Sequence, residues 1–318
     1  MENEYLDKEK VLANQEKIVN KTKWACMCPD CKETAINSHL LQRHGILDAI
    51  AEEGHLYEVG IQDHFKWHKE MPMCFKKVGL QQAVSLPLFC SKHDTELFIS
   101  IEQRAIDFDD YKSQLLFSYR GLCSEIRKKE FAKIRYACIK GDVVDQAVKG
   151  TDRGLKDLEY YKFLYEQEIL KPQNKFTIYH LSYPLIPLYA IGSVSYDPVD
   201  YNNERSVDEI LKKKVLDAFL INIIPRKDSL EILIGYHNNH ANADLRKYVD
   251  SWKELSFEQL QIKLSDLLTR RLDTWGMSPS LYKSLSEEKK AKYFEYQMNE
   301  VFGSDDIRKE LNYNLFDL

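Results

Sequence analysis

Between residues 109 and 170 the apolar positions return every three or four residues. Leu115, Leu116, Tyr119, Leu122, Cys123, Ile126 and Phe131 keep a helical period with no interior proline, and such spacing predicts helix. Gly141-Asp142 interrupts the pattern, and a second helix is predicted from about Val143 to Leu170, closed by Pro172 and Asn174. The two read as a long antiparallel hairpin. After residue 175 the period changes. Phe176–Leu181, Tyr189–Tyr196, Ala218–Ile224 and Leu230–Gly235 are rich in β-branched and aromatic residues and predict strands, with Pro225 to Ser229 as a hairpin turn. Residues 241–303 return to helix and end in a polar tail.

Upstream, residues 4–20 predict an exposed or docking helix. A short strand follows at Ala35–His39, then a helix from Leu40 to Glu53 ended by Gly54. His55–Val59, Phe75–Val78 and Ala83–Phe89 predict short strands, and a helix runs from His93 through Phe98 and Ile101. The expected fold class is α+β in three parts: residues 1–104, a helical hairpin over 105–172, and an antiparallel sheet with helices over 173–318.

A chain of 318 residues, 44% hydrophobic and 30% charged, has the composition of a globular protein that buries a sizeable core. No apolar run approaches the roughly 20 residues of a membrane-spanning helix. The polar, acidic start, Met1-Glu2-Asn3-Glu4, lacks the basic and apolar regions of a secretory signal. The expectation is a cytoplasmic protein with no membrane association. A net charge of −5 does not announce a nucleic-acid binder, although local patches matter more than the sum.

Seven cysteines in a reducing compartment read as metal ligands sooner than as disulfides. Five of them, Cys26, Cys28, Cys31, Cys74 and Cys90, fall within the first 100 residues. Cys28-Pro29-Asp30-Cys31 is a CxxC knuckle, and Cys90-Ser91-Lys92-His93 is a CxxH pair. Two intervening residues let both side chains of a turn reach one tetrahedral ion. Cys28, Cys31, Cys90 and His93 are the expected ligands of a structural Zn²⁺, with Cys26 able to replace one of them. The 58 residues between Cys31 and Cys90 require an inserted segment.

Ile36-Asn37-Ser38-His39-Leu40-Leu41, set between a CxxC knuckle and Phe89-Cys90-Ser91-Lys92-His93-Asp94, resembles the HNH-type treble-clef proteins. In these, a knuckle, a strand ending in His, a second knuckle and a helix follow in that order. The resemblance covers about residues 24–104, and extends to bacterial zinc-knuckle proteins of similar layout. It implies a metal-dependent nuclease, with defence against foreign DNA as its setting. By position, His39 would be the general base and Asp94 a ligand for Mg²⁺ or Mn²⁺. Ser38 stands where many members carry an acidic ligand, and residues 1–104 hold 13 Lys+Arg against 16 Asp+Glu, a poor balance for a polyanion. Other readings of His39 are a zinc ligand or a backbone-bonded histidine. The alternative function is a non-catalytic binding or regulatory module with a protein partner, in which zinc is purely structural.

Two further stretches carry charge or histidines. Arg120, Arg127, Lys128, Lys129, Lys133 and Arg135 form the most basic segment, suited to phosphate or to a solvated helix face with pairs such as Glu125–Lys129. His237-Asn238-Asn239-His240 reads as a second metal site or as a polar turn in which Asn238, Asn239 or Asn242 caps the next helix.

Overall fold

Apolar residues that run continuously along a strand must be covered on both faces, and the strands downstream of residue 175 are of this kind. In the computed structural model, which describes residues 2–63, 72–197, 212–301 and 311–317, they build one side of a seven-stranded antiparallel sheet. Its strands are β2 (His55–Ile61), β3 (Met73–Gly79), β5 (Phe176–Pro184), β6 (Leu188–Ser195), β7 (Ala218–Pro225), β8 (Ser229–His237) and β9 (Trp275–Met277). Their order is β3-β2-β9-β6-β7-β8-β5. The β7–β8 hairpin closes at the expected turn, where Arg226 N–H donates to Ser229 O at 2.8 Å. Alternate side chains divide between two cores. Leu220, Ile224 and Leu233 face one, whereas Phe219, Ile221, Ile223, Ile232 and Ile234 face the other.

The first core is filled by the helical hairpin, α3 (Tyr111–Tyr136) and α4 (Asp142–Leu170). Asp110 caps α3, its carboxylate accepting from Ser113 N–H at 2.8 Å. The helix is buried all round through its first half because it runs between the sheet and the amino-terminal region. A Cβ at Gly121 would lie 2.8 Å from Ile191 Cγ2, so glycine is what lets α3 approach β6 so closely. The second core lies under α5 (Ala243–Asp250), α6 (Phe257–Arg270), α7 (Pro279–Ser284) and α8 (Glu287–Val301). Asn242 caps α5, accepting from Leu245 N–H, so the polar-turn reading of this segment holds for that residue. A capping box of Ser256 and Gln259 opens α6.

Two expectations are corrected. Leu40–Glu53 is not an α-helix but a series of turns around one 3₁₀ turn, Leu47–Ala49. Gly45 at φ +99° breaks the period, and its N–H is taken by the Asp48 carboxylate at 2.6 Å. The apolar residues Leu40, Leu41, Ile46, Leu47 and Ile50 are nevertheless all buried. The segment between the knuckles also reaches beyond the first 104 residues: Tyr57 and Glu58 of β2 pair with Met277 and Gly276 of β9. It thereby contributes a hairpin to the sheet whose other strands come from residues 173–318. The tail over 302–310 lies outside the described residues, and none of the described helices is long and apolar enough to cross a membrane.

Candidate metal centre and the cleft beside it

Three short elements carry the candidate ligands. Trp24 to Ala35 fold back on themselves, with Cys26 N–H donating to Glu33 O at 2.9 Å and Ala35 N–H to Trp24 O at 2.8 Å. Within this loop Cys28-Pro29-Asp30-Cys31 is a turn, Cys31 N–H donating to Cys28 O at 3.2 Å, with Asp30 at φ +61°. β1 (Ile36–His39) pairs with β4 (Ser85–Phe89), and Met27 N–H donates to Leu88 O. Cys90 follows β4 directly and stands at the N-cap of α2 (Ser91–Phe98), whose first turn holds His93. Arg127 of α3 is buried and clamps the loop. It donates to Ala25 O at 2.8 Å and to Glu130 at 2.7 Å, and its guanidinium lies 4.7 Å from the Trp24 ring centroid.

These elements bring Cys26, Cys31, Cys90 and His93 together, with one donor atom of each within 4.8 Å of the others. Cys31 Sγ lies 3.9 Å from Cys90 Sγ. His93 Nδ1 lies 3.4 Å from Cys26 Sγ and 3.3 Å from Cys90 Sγ. A tetrahedral Zn²⁺ with ordinary bond lengths separates two sulfurs by roughly 3.8 Å and a sulfur from a nitrogen by about 3.5 Å. The four donors therefore have the number, type and spacing such an ion requires. Three of the expected ligands are present, and the fourth is corrected: Cys26 stands where Cys28 was expected, and Cys28 lies outside the set. The first arm is thus Cys-x₄-Cys, because the Pro29-Asp30 turn is used to bring Cys26 and Cys31 together. Burial pushes the Cys26 thiol up to about 11, while the backbone N–H of His93 holds Cys90 below the usual thiol range.

A cleft of about 500 Å³ opens beside this cluster, lined by His39, Gln42, Arg43, His44, Asp94 and Glu102 among others. Both residues singled out as catalytic, His39 and Asp94, thus face one space. His39 ends β1, and its Nε2 lies 3.3 Å from Leu80 O. The segment after Leu80 is fixed by a strained residue, Val84 at φ +43°. A β-branched side chain there costs on the order of 1–3 kcal/mol. Val84 is held on both sides: its N–H donates to Glu58 Oε1 at 2.7 Å, and its carbonyl accepts from Leu40 N–H at 3.0 Å. Glu58 is half-buried, and desolvation raises its carboxyl despite the hydrogen bond from Tyr189.

Arg120 of α3, only 1% exposed, lies behind the lining of the cleft. It reaches Glu102 Oε1 at 2.6 Å and Asp94 Oδ1 at 3.8 Å, and its guanidinium stacks 4.0 Å from the Phe98 centroid. The basic segment of α3 is therefore spent largely on internal contacts. Arg120 and Arg127 are buried, Lys128 pairs with Glu125 at 2.8 Å and with Asp273, and Lys133 pairs with Asp152 at 2.7 Å. Asp94 Oδ1 and Gln42 Oε1 are buried acceptors that receive no hydrogen bond. His39, Asp94 and Glu102 do not form a second three-ligand cluster; among the described residues Cys26, Cys31, Cys90 and His93 make the only one.

Buried Arg120 and Arg127 and half-buried Glu58 position the site, and periodicity gave no sign of them, because a charged residue on a helix or strand reads as solvent-facing until its partners are known. Compared with known proteins, the chain matches no protein family, no curated protein and no solved structure.

Proposed function

We propose that the chain is a zinc-stabilised, HNH-like protein that acts on nucleic acid, with the cleft between His39 and Asp94 as its phosphodiester-binding site. The carrying observation is that these two residues line one open cleft, with Asp94 directly following His93 of the Cys/His cluster in α2. In this reading the zinc supplies folding free energy that the short strands and loop of the amino-terminal region lack. The order of knuckle loop, β1, inserted hairpin, β4 and α2 supports a treble-clef-like arrangement. His39, with Nε2–H donated to Leu80 O, keeps Nδ1 as the basic nitrogen that takes the proton of an attacking water. Arg120 pairs with the Asp94 and Glu102 carboxylates from behind the lining, and Arg43 supplies a cationic donor for phosphate oxygens. A divalent cation at Asp94 would stabilise charge on the scissile phosphate.

Plasmid DNA and RNA incubated with Mg²⁺ or Mn²⁺ test this reading. Cleavage by the wild type should fall by about 10²-fold or more in His39→Ala, as expected for removal of a general base, and similarly in Asp94→Ala. No cleavage by any of the three, or equal cleavage by all, rejects the assignment. A second reading, a non-catalytic binding module with a protein partner, is favoured by two contacts: Arg120 already neutralises Asp94 and Glu102, and His39 is engaged by a backbone carbonyl. Binding of nucleic acid without cleavage, unaffected by Asp94→Ala, would select it.

A further inference from the structure

Three thiols of the amino-terminal loop compete for two places in the metal centre. Cys26 is buried and joins the cluster, Cys31 is half-buried and joins it, and Cys28 is half-buried and is left over. The leftover thiol is not remote from the centre. It opens the turn that ends in Cys31 and, like Cys31, packs half-buried against the first core. The Cys28–Cys31 turn is closed by its own backbone hydrogen bond. Such a turn keeps its end Cα atoms within about 7 Å, and a disulfide spans roughly 4.4–6.8 Å between them. Cys26 and Cys90, by contrast, are packed into the first core, and Cys90 also caps α2.

We propose that Cys28 and Cys31 are an oxidisable pair, and that a hydroperoxide joins them as a disulfide and thereby withdraws Cys31 from the metal centre. The proposal rests on the metal assignment and not on the hydrolytic reading of the cleft. The Cys31 thiolate attacks an oxygen of the hydroperoxide. The O–O bond breaks, and the leaving alkoxide or hydroxide takes a proton from water, so that Cys31 becomes a sulfenic acid. The Cys28 sulfur then attacks the Cys31 sulfur. The S–O bond breaks, and the hydroxide leaves as water with the Cys28 proton. Two thiols lose two electrons and the peroxide gains them. Cys31, a half-buried member of the metal cluster, is the site of first attack, and Cys28, at the other end of the same turn, is the resolving partner. Cys90 Sγ, 3.9 Å from Cys31 Sγ, is the competing partner, but it is buried in the first core, whereas Cys28 is half-buried.

The test treats the full chain with hydrogen peroxide, follows metal release with a chromophoric chelator and maps disulfides in non-reduced peptides. Cys28→Ser is compared under the same conditions, after circular dichroism and melting establish that it folds as the wild type does. The expected result is a Cys28–Cys31 disulfide with metal release, and release several-fold slower in Cys28→Ser. Release at the wild-type rate in that variant, or a disulfide from Cys31 to Cys90 or Cys26 instead, overturns the proposal. Metal content is read before oxidation in the same samples. A metal-free protein at that point overturns the assignment of the centre, and the peptide map alone then decides the thiol pair.

Discussion

Cys90→Ala is expected to empty the metal centre and to destabilise the protein by more than about 4 kcal/mol, the range reached only when a metal site or core is broken. Cys90 places its sulfur 3.9 Å from Cys31 Sγ and 3.3 Å from His93 Nδ1, follows β4 directly and stands at the N-cap of α2. The elements it joins are short: four residues in β1, five in β4 and eight in α2. Strands of that length are not stable without a partner layer, and structural zinc contributes on the order of 10 kcal/mol in comparable small sites. Metal analysis and thermal unfolding check the expectation. Wild-type protein stripped by a chelator should melt like the variant. An unchanged melting temperature in both would mean that the thiols are only packed, as free cysteines in cores often are.

Acid should weaken the fold between pH 6.5 and 4, and His237 is a principal cause. Its ring is 3% exposed, its Nδ1 accepts from Asn239 N–H at 3.2 Å, and its Nε2 has no hydrogen-bond partner. A proton added at Nδ1 would therefore cost a hydrogen bond and leave a buried charge. Burial first, then the neighbouring His240 and Lys175, lower the imidazole to about 4. The unfolded chain binds the proton from its ordinary value of 6.5 downward. The folded chain is favoured above that pH and loses the advantage as pH falls through 4. The full difference corresponds to roughly 3 kcal/mol. His180 has the opposite sign. Burial lowers it, but its bonds to Asp109 at 2.9 Å and Glu231 at 2.7 Å outweigh this and raise it. Its contribution is complete below 6.5 and fades at higher pH, so it adds nothing to the acid loss. Urea unfolding of wild type and His237→Gln at pH 7 and pH 4.5 isolates the effect: the wild type should lose about 2–3 kcal/mol more than the variant. Equal losses would show that the ring is charged or solvated in the folded state.

Periodicity made the long elements legible. α3, α4 and β5 to β8 lie where the changes from a 3.6-residue period to strand composition put them, because each buries a continuous apolar surface. Leu40–Glu53 misled for the same reason: its apolar residues are buried as a helix face would be, but Gly45 turns the chain out of the helix. β9 has three residues, too few for any period, and is a strand only because β2 and β6 flank it. At the metal centre the types of donor were readable, since clustered thiols in knuckle spacing have few other uses. The choice between Cys26 and Cys28 was not readable, because it depends on which way the Pro29-Asp30 turn is rotated, and that is fixed by contacts of the loop with β4 and Arg127. The cleft was half legible. His39 and Asp94 were singled out, whereas Arg120, which pairs with Asp94 and Glu102, was read only as part of a basic segment facing phosphate or solvent.

Metal content of Cys26→Ser beside Cys28→Ser tests the arrangement of the centre most directly. With Cys26, Cys31, Cys90 and His93 as the ligands, Cys26→Ser should lose its zinc and Cys28→Ser should keep about one ion per chain. Retention by Cys26→Ser together with loss by Cys28→Ser, or absence of metal from the wild type, would contradict it.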